Sequence, residues 1–184
     1  MNAAKDCTLQ EKLLRCAMAL ILAAGALLAS VAASPAYAAP STVDVSIGGK
    51  IPYGGFATTW MSADGNIAYC AEPSSPTPAP GSYSTSPVPS GDVTAAIWYS
   101  FGSPGFDASM FPGSWYDGGG WDDAKYAAAS HVLIAYAYSG SESAATHGTS
   151  AEFASWAKSE LIGGTLAKMK AGAGKVSAGF EAFC

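Results

Sequence analysis

The chain has 184 residues, with Lys+Arg 9 against Asp+Glu 14 and a formal net charge of −5. That acidic balance excludes a nucleic-acid binder, because counterion release from phosphates needs an excess of cations. Charged residues are only 12% and hydrophobic ones 49%, and the 5 Trp, 9 Tyr and 7 Phe exclude general disorder and supply the core of one domain.

At the N-terminus, Lys5, Lys12 and Arg15 precede an uncharged apolar run from Ala17 to Ala33. Ser34-Pro35-Ala36-Tyr37-Ala38 follows, and small residues at Ala36 and Ala38 fit a signal-peptidase cleft. The pattern predicts a signal peptide over residues 1–38, cleaved after Ala38, and an exported module over 39–184. The run is shorter than the ~20 residues of a bilayer span and is broken by Pro35, so no membrane anchor is expected. Cleavage removes Cys7 and Cys16, leaving Cys70 and Cys184, and two cysteines in an oxidising space suggest a disulfide.

Thr42-Val43-Asp44-Val45-Ser46-Ile47 alternates polar and apolar residues, as a half-buried strand does, and Gly48-Gly49 is expected to stop it. Phe56–Met61 and Ile67–Cys70 flank Asp64-Gly65, the signature of a hairpin turn. Residues 73–91 hold six prolines among Ser, Thr and Gly, which predicts an extended surface loop within the domain rather than a helix or central strand. Asp92 is placed to cap a short helix through Trp98. A Gly-rich aromatic loop then runs from Gly102 to Asp117.

Asp122 caps the clearest helix, roughly 123–138, with Ala127, His131, Ile134 and Tyr138 on one face and Gly140 at its end. Thr149 and Glu152 form a capping box for a further helix through Leu161, closed by Gly163. Strands first and helices after give an α+β fold. Its core is a small, barrel-like sheet with inserted helices and long Pro/Gly-rich loops. The apolar end, Phe180 to Cys184, reads as the start of a strand, so the chain is expected to be a fragment of a longer surface protein.

Cys70, in Ala68-Tyr69-Cys70-Ala71-Glu72-Pro73, is open to three readings: nucleophile, disulfide half or small buried apolar residue. His131 is either a hydrogen-bonded core histidine or a base for Cys70. Trp115, Tyr116 and Trp121, with Phe106 and Phe111, either plug the end of the core or form a sugar-stacking platform. Asp117, Asp122 and Asp123 match no calcium-loop spacing, and two His with two Cys are too scattered for zinc, so no metal is assigned. No cofactor motif stands out. Lys168, Lys170 and Lys175 read as a solvated tail.

Four segments together resemble the N-terminal thioester-type domains of Gram-positive, and especially actinobacterial, surface adhesins. They are Ala68 to Pro73; Ala96-Ile97-Trp98-Tyr99 with Gly102 to Asp107; Met110-Phe111-Pro112 with Trp115-Tyr116-Asp117; and Ser130-His131-Val132-Leu133. The resemblance runs over about residues 55 to 183. In that family a cysteine attacks a glutamine side-chain amide, expels ammonia and leaves an internal thioester. A lysine amine on a host surface then opens it and becomes attached.

The resemblance puts the family cysteine at Cys70 and the family glutamine position at His131. Gln10 is the only glutamine in these 184 residues and lies in the signal peptide. The resemblance therefore implies an adhesion module and not an enzyme, one that binds non-covalently or by altered Cys70 chemistry. Its partner would be a protein or glycan on a host or neighbouring cell, with further domains of the same protein behind it. Two alternatives stay open: a secreted enzyme with a Cys70–His131 dyad, and a carbohydrate-binding module built on Trp115, Tyr116 and Trp121.

Overall fold

The polar–apolar alternation of Thr42–Ile47 turns Val43 and Val45 inward, and this seeds a sheet that curls until it closes. In the computed structural model, which describes residues 19–22, 42–88, 91–172 and 180–183, six strands form a closed antiparallel barrel. They are β1 (Ala19–Leu22), β2 (Thr42–Tyr53), β3 (Phe56–Ala63), β4 (Asn66–Cys70), β5 (Gly81–Pro87) and β6 (Phe180–Phe183). Their order is β1-β4-β3-β2-β5-β6, and β6 returns to β1.

The β3–β4 hairpin turns where expected: Asp64 (φ 48°) and Gly65 (φ 81°) link Ala63 to Asn66 in a left-handed turn. An equivalent turn at Gly54 (φ 52°) and Gly55 (φ 85°) joins Tyr53 to Phe56. β1 belongs to the stretch read as signal peptide. Removing residues 1–38 would take this strand out and open the barrel between β4 and β6.

Gly48-Gly49 does not stop β2, contrary to expectation. The register passes from Ile47↔Met61 to Lys50↔Thr59, so one extra residue sits in β2 as a bulge. The bulge flips which face each residue takes. Val43 and Val45 line the small cluster with Met61, Ala63, Ala68 and Cys70, whereas Ile51 and Tyr53, beyond the bulge, face the helices. A second correction concerns 73–91. β5 lies inside it, between β2 and β6, because the prolines flank Gly81–Ser86 and leave those six residues free to pair.

The helices form the larger cluster. α1 (Gly91–Trp98) starts one residue before Asp92, which sits in its first turn. α2 (Asp123–Ser139) is the central helix. Asp122 accepts from the Lys125 amide at its start, and Gly140 (φ 67°) closes it. Its sequence suggests one buried face, yet every residue from Ala127 to Ala135 is buried, because helices and sheet enclose it on all sides.

α3 (Glu142–Ala145) is a single turn capped by Ser141. The cap of the next helix is Ser150 rather than Thr149, and Gly163 does not end the run. α4 (Ala151–Trp156) passes into a π-helical stretch, Ala157–Thr165, and then into α5 (Leu166–Gly172). Lys170 pairs with Asp92 at 2.7 Å and Lys168 donates to the Met110 carbonyl, so two of the three C-terminal lysines hold neighbouring elements; Lys175 lies outside the described residues.

Candidate functional site

The end of β4 and the middle of α2 meet across Phe101, just before the aromatic loop. Tyr69, the neighbour of Cys70, donates its hydroxyl to the Phe101 carbonyl, and Ser130, the neighbour of His131, accepts from the Phe101 amide at 2.9 Å. Phe101 is thus held at both its carbonyl and its amide by the residues flanking Cys70 and His131, which fixes strand against helix. Burial pushes the Tyr69 phenol up, with hydrogen bonds from Ser130 and Ser100 opposing it.

This clamp sets Cys70 and His131 on the wall of one pocket of about 70 Å³, with Phe56, Ala57, Thr58, Pro73, Ser75 and Thr77 around them. Cys70 is only 7% exposed and carries a free thiol that donates to the Glu72 carbonyl at 3.2 Å; Cys184 lies outside the described residues. Burial pushes the thiol up to about 11, opposed by the Glu72 backbone and assisted by the Glu72 charge. At neutral pH the sulfur is a thiol, the weaker nucleophile of its two forms.

His131 is 1% exposed. Its Nδ1 lies 2.9 Å from the Tyr53 hydroxyl, while Nε2 is buried and makes no hydrogen bond. Burial lowers its pKa to about 4, with the Cys70 backbone pulling weakly the other way, so the ring is neutral at physiological pH. Tyr53 is the site residue that the sequence reading did not single out. Its signal is the Tyr53-Gly54-Gly55-Phe56 pattern, a glycine pair between aromatics that marks a hairpin tip.

The two residues do meet, but not as a thiolate–imidazolium pair, since burial favours the neutral form of each. His147 lies in the loop after α3, edge-on to Phe56. Asp117 accepts from the Gly119 amide, and Asp122 caps α2 and approaches Lys125 at 3.7 Å. Among the described residues no group of three or more His, Cys, Asp or Glu gathers as a metal site. None of their helices is long and apolar enough to cross a membrane.

The loop aromatics pack chiefly on one another. Trp115 is 4% exposed, edge-on to Trp121 at 5.0 Å and to Trp156 at 5.1 Å, and it also meets Phe153. This corrects its candidacy as a ligand contact: its ring is core. Trp121 is half-buried, stacked on Tyr126 at 4.7 Å, with its indole N–H on the Pro112 carbonyl; Tyr116 is half-buried against Phe153.

A family model described as a thioester domain matches residues 42–164, from the first residue of β2 into the π-helical stretch. The chain belongs to the thioester-domain family. The matched span holds β2 to β5, α1 to α4, and both Cys70 and His131; it leaves out β1 and β6. No curated protein and no solved structure matches the chain. The thioester domain here thus presents, around Cys70, a protonated thiol beside a neutral imidazole.

Proposed function

We propose that this chain is an exported adhesion module of a Gram-positive cell surface, a thioester domain that holds its partner without an internal Cys–Gln bond. The observation that carries this reading is the pocket itself, where a buried, protonated Cys70 faces His131 at the position assigned to the family glutamine. An imidazole has no amide to lose as ammonia, and the 184 residues offer only Gln10, in the segment read as signal peptide. Export rests on the basic, apolar and small-residue pattern ending at Ala38. The partner is a protein or glycan on another cell, bound by contact alone.

A Cys70–His131 enzyme is the weaker reading. A working dyad needs a base that accepts the thiol proton near neutral pH, and burial moves both groups in the opposing sense. Intact-mass measurement of the secreted protein tests the proposal. The mass should equal that of the processed sequence, with no deficit of one ammonia and no adduct after incubation with methylamine. A deficit, or an adduct lost on changing Cys70→Ala, would establish thioester chemistry and overturn the reading.

A further inference from the structure

The barrel closes only through β1. That strand runs antiparallel to both of its neighbours, pairing Ala19, Leu20 and Ile21 with Cys70, Tyr69 and Ala68 of β4, and Ala19 to Leu22 with Phe183 to Phe180 of β6. It lies within residues 1–38, the stretch that export would remove, and the family match spans neither β1 nor β6.

Processing then leaves a gap one strand wide, bounded on one side by the strand that carries Cys70. Paired strands lie about 4.8 Å apart, so β4 and β6 would face each other across about 9–10 Å, too far to bond directly. Both run antiparallel to β1 and hence parallel to each other. Closing on one another would take the weaker parallel ladder in a shrunken barrel. Neither edge carries the lysine or proline that commonly blunts an exposed strand: β4 is Asn66-Ile67-Ala68-Tyr69-Cys70, and the one charge in β6 is Glu181.

The two faces of the gap select what enters it. Residues paired across neighbouring strands share a face. Positions opposite Cys70 and Ala68 therefore lie on the barrel-interior face with Val43, Val45, Met61 and Ala63, and the position opposite Tyr69 lies on the face towards the helices. Both surroundings are apolar, and a charge in either would be buried without a partner.

We propose that the processed domain takes up an extended, uncharged apolar segment of its partner protein as the sixth strand between β4 and β6, held beside Cys70 by main-chain hydrogen bonds. The inference rests on the export reading, and it narrows the adhesion partner to a protein that offers such a segment. Ala19-Leu20-Ile21-Leu22 shows the fit: four uncharged apolar residues, antiparallel to both walls and paired along both edges.

Hydrogen exchange of the secreted protein, read by mass spectrometry, tests this, with a synthetic peptide of residues 17–24 carrying a lysine tail as the probe. Intact mass first shows whether residues 1–38 are gone. Residues 66–70 and 180–183 should gain protection as the probe is added, while α2 stays protected throughout. A Leu20→Pro probe lacks one ladder donor and should bind about tenfold more weakly. Full protection without the probe, no gain with it, or an equal gain with the Leu20→Pro peptide would overturn the proposal. So would protection that grows with protein concentration alone, which would make a second copy the occupant. Loss of protection in α2 would overturn it too, by making β1 indispensable to the fold. Retention of residues 1–38 would sink the export reading together with this inference, whereas failed uptake in processed protein would sink the inference alone.

Discussion

Alkylation of Cys70 as a function of pH separates a buried thiol from an activated one. Only the thiolate reacts with iodoacetamide, and desolvation moves this thiol from its ordinary 9.0 to about 11. Each unit is a tenfold change in population, so below pH 9 the thiolate fraction should be about 100-fold lower than for an unperturbed cysteine. Poor exposure slows the reaction further at every pH, so the shape of the profile matters more than its height. Intact mass followed over time should give a rate that climbs tenfold per pH unit and is still rising past pH 9. His131→Leu should leave that profile within a factor of about two, because a ring that loses its proton near pH 4 contributes no charge at higher pH to stabilise the thiolate. A plateau at or below pH 9 would refute the burial argument. Fast alkylation at neutral pH, abolished in the His131→Leu variant, would go further and restore the Cys–His dyad.

Two further perturbations test the framework around the site. The folded-state pKa of His131 lies below its ordinary 6.5, so the folded form binds fewer protons, and its contribution is intact above 6.5 and lost as pH falls towards 4. The loss is on the order of 3 kcal/mol at full protonation, read as a fall in Tm between neutral pH and pH 4 that His131→Leu should largely remove. Gly54 sits at φ 52°, and a Cβ there would lie 2.5 Å from Cγ of Phe153, itself fully buried. Gly54→Ala should therefore cost at least about 2–3 kcal/mol through strain and overpacking together. Gly49→Ala, with nothing within 4 Å of its Cβ position, should leave the denaturation midpoint nearly unmoved, and equal midpoints for the two variants would refute the contact argument.

Local signals with a short physical range were legible in the sequence. Asp64-Gly65 fixes a turn by backbone conformation alone, and Asp122 with Gly140 marks both ends of α2 through capping and a left-handed residue. What failed depends on partners distant in sequence. Gly48-Gly49 reads as a strand end because glycine is a poor strand former, but pairing with β3 carries the backbone through and absorbs the extra residue as a bulge. Gly163-Gly164 reads as a helix stop for the same reason. There the burial of Leu161, Thr165, Leu166 and Met169 against the core holds the helix through the glycines. The face expected of α2 was too narrow because periodicity reports one-sided burial, and this helix is enclosed all round.

The candidate site shows the same division more sharply. Cys70 and His131 could be named from the sequence, and their meeting in one pocket follows the family resemblance. Their chemistry could not be named, because the state of each group is set by surroundings that no local pattern encodes. Tyr53 reaches His131 only because the bulge at Ile47/Lys50 shifts the parity of β2 and turns residues 51 and 53 from the barrel interior to the helices. Without that one inserted residue, Tyr53 would face the barrel interior and the ring would lose its Nδ1 partner. The glycines that looked like an end to β2 are therefore what bring a tyrosine to the histidine. The buried ring beside Cys70 owes its Nδ1 partner to that contact, so the geometry of the pocket is decided at a bulge some twenty residues before the cysteine it surrounds.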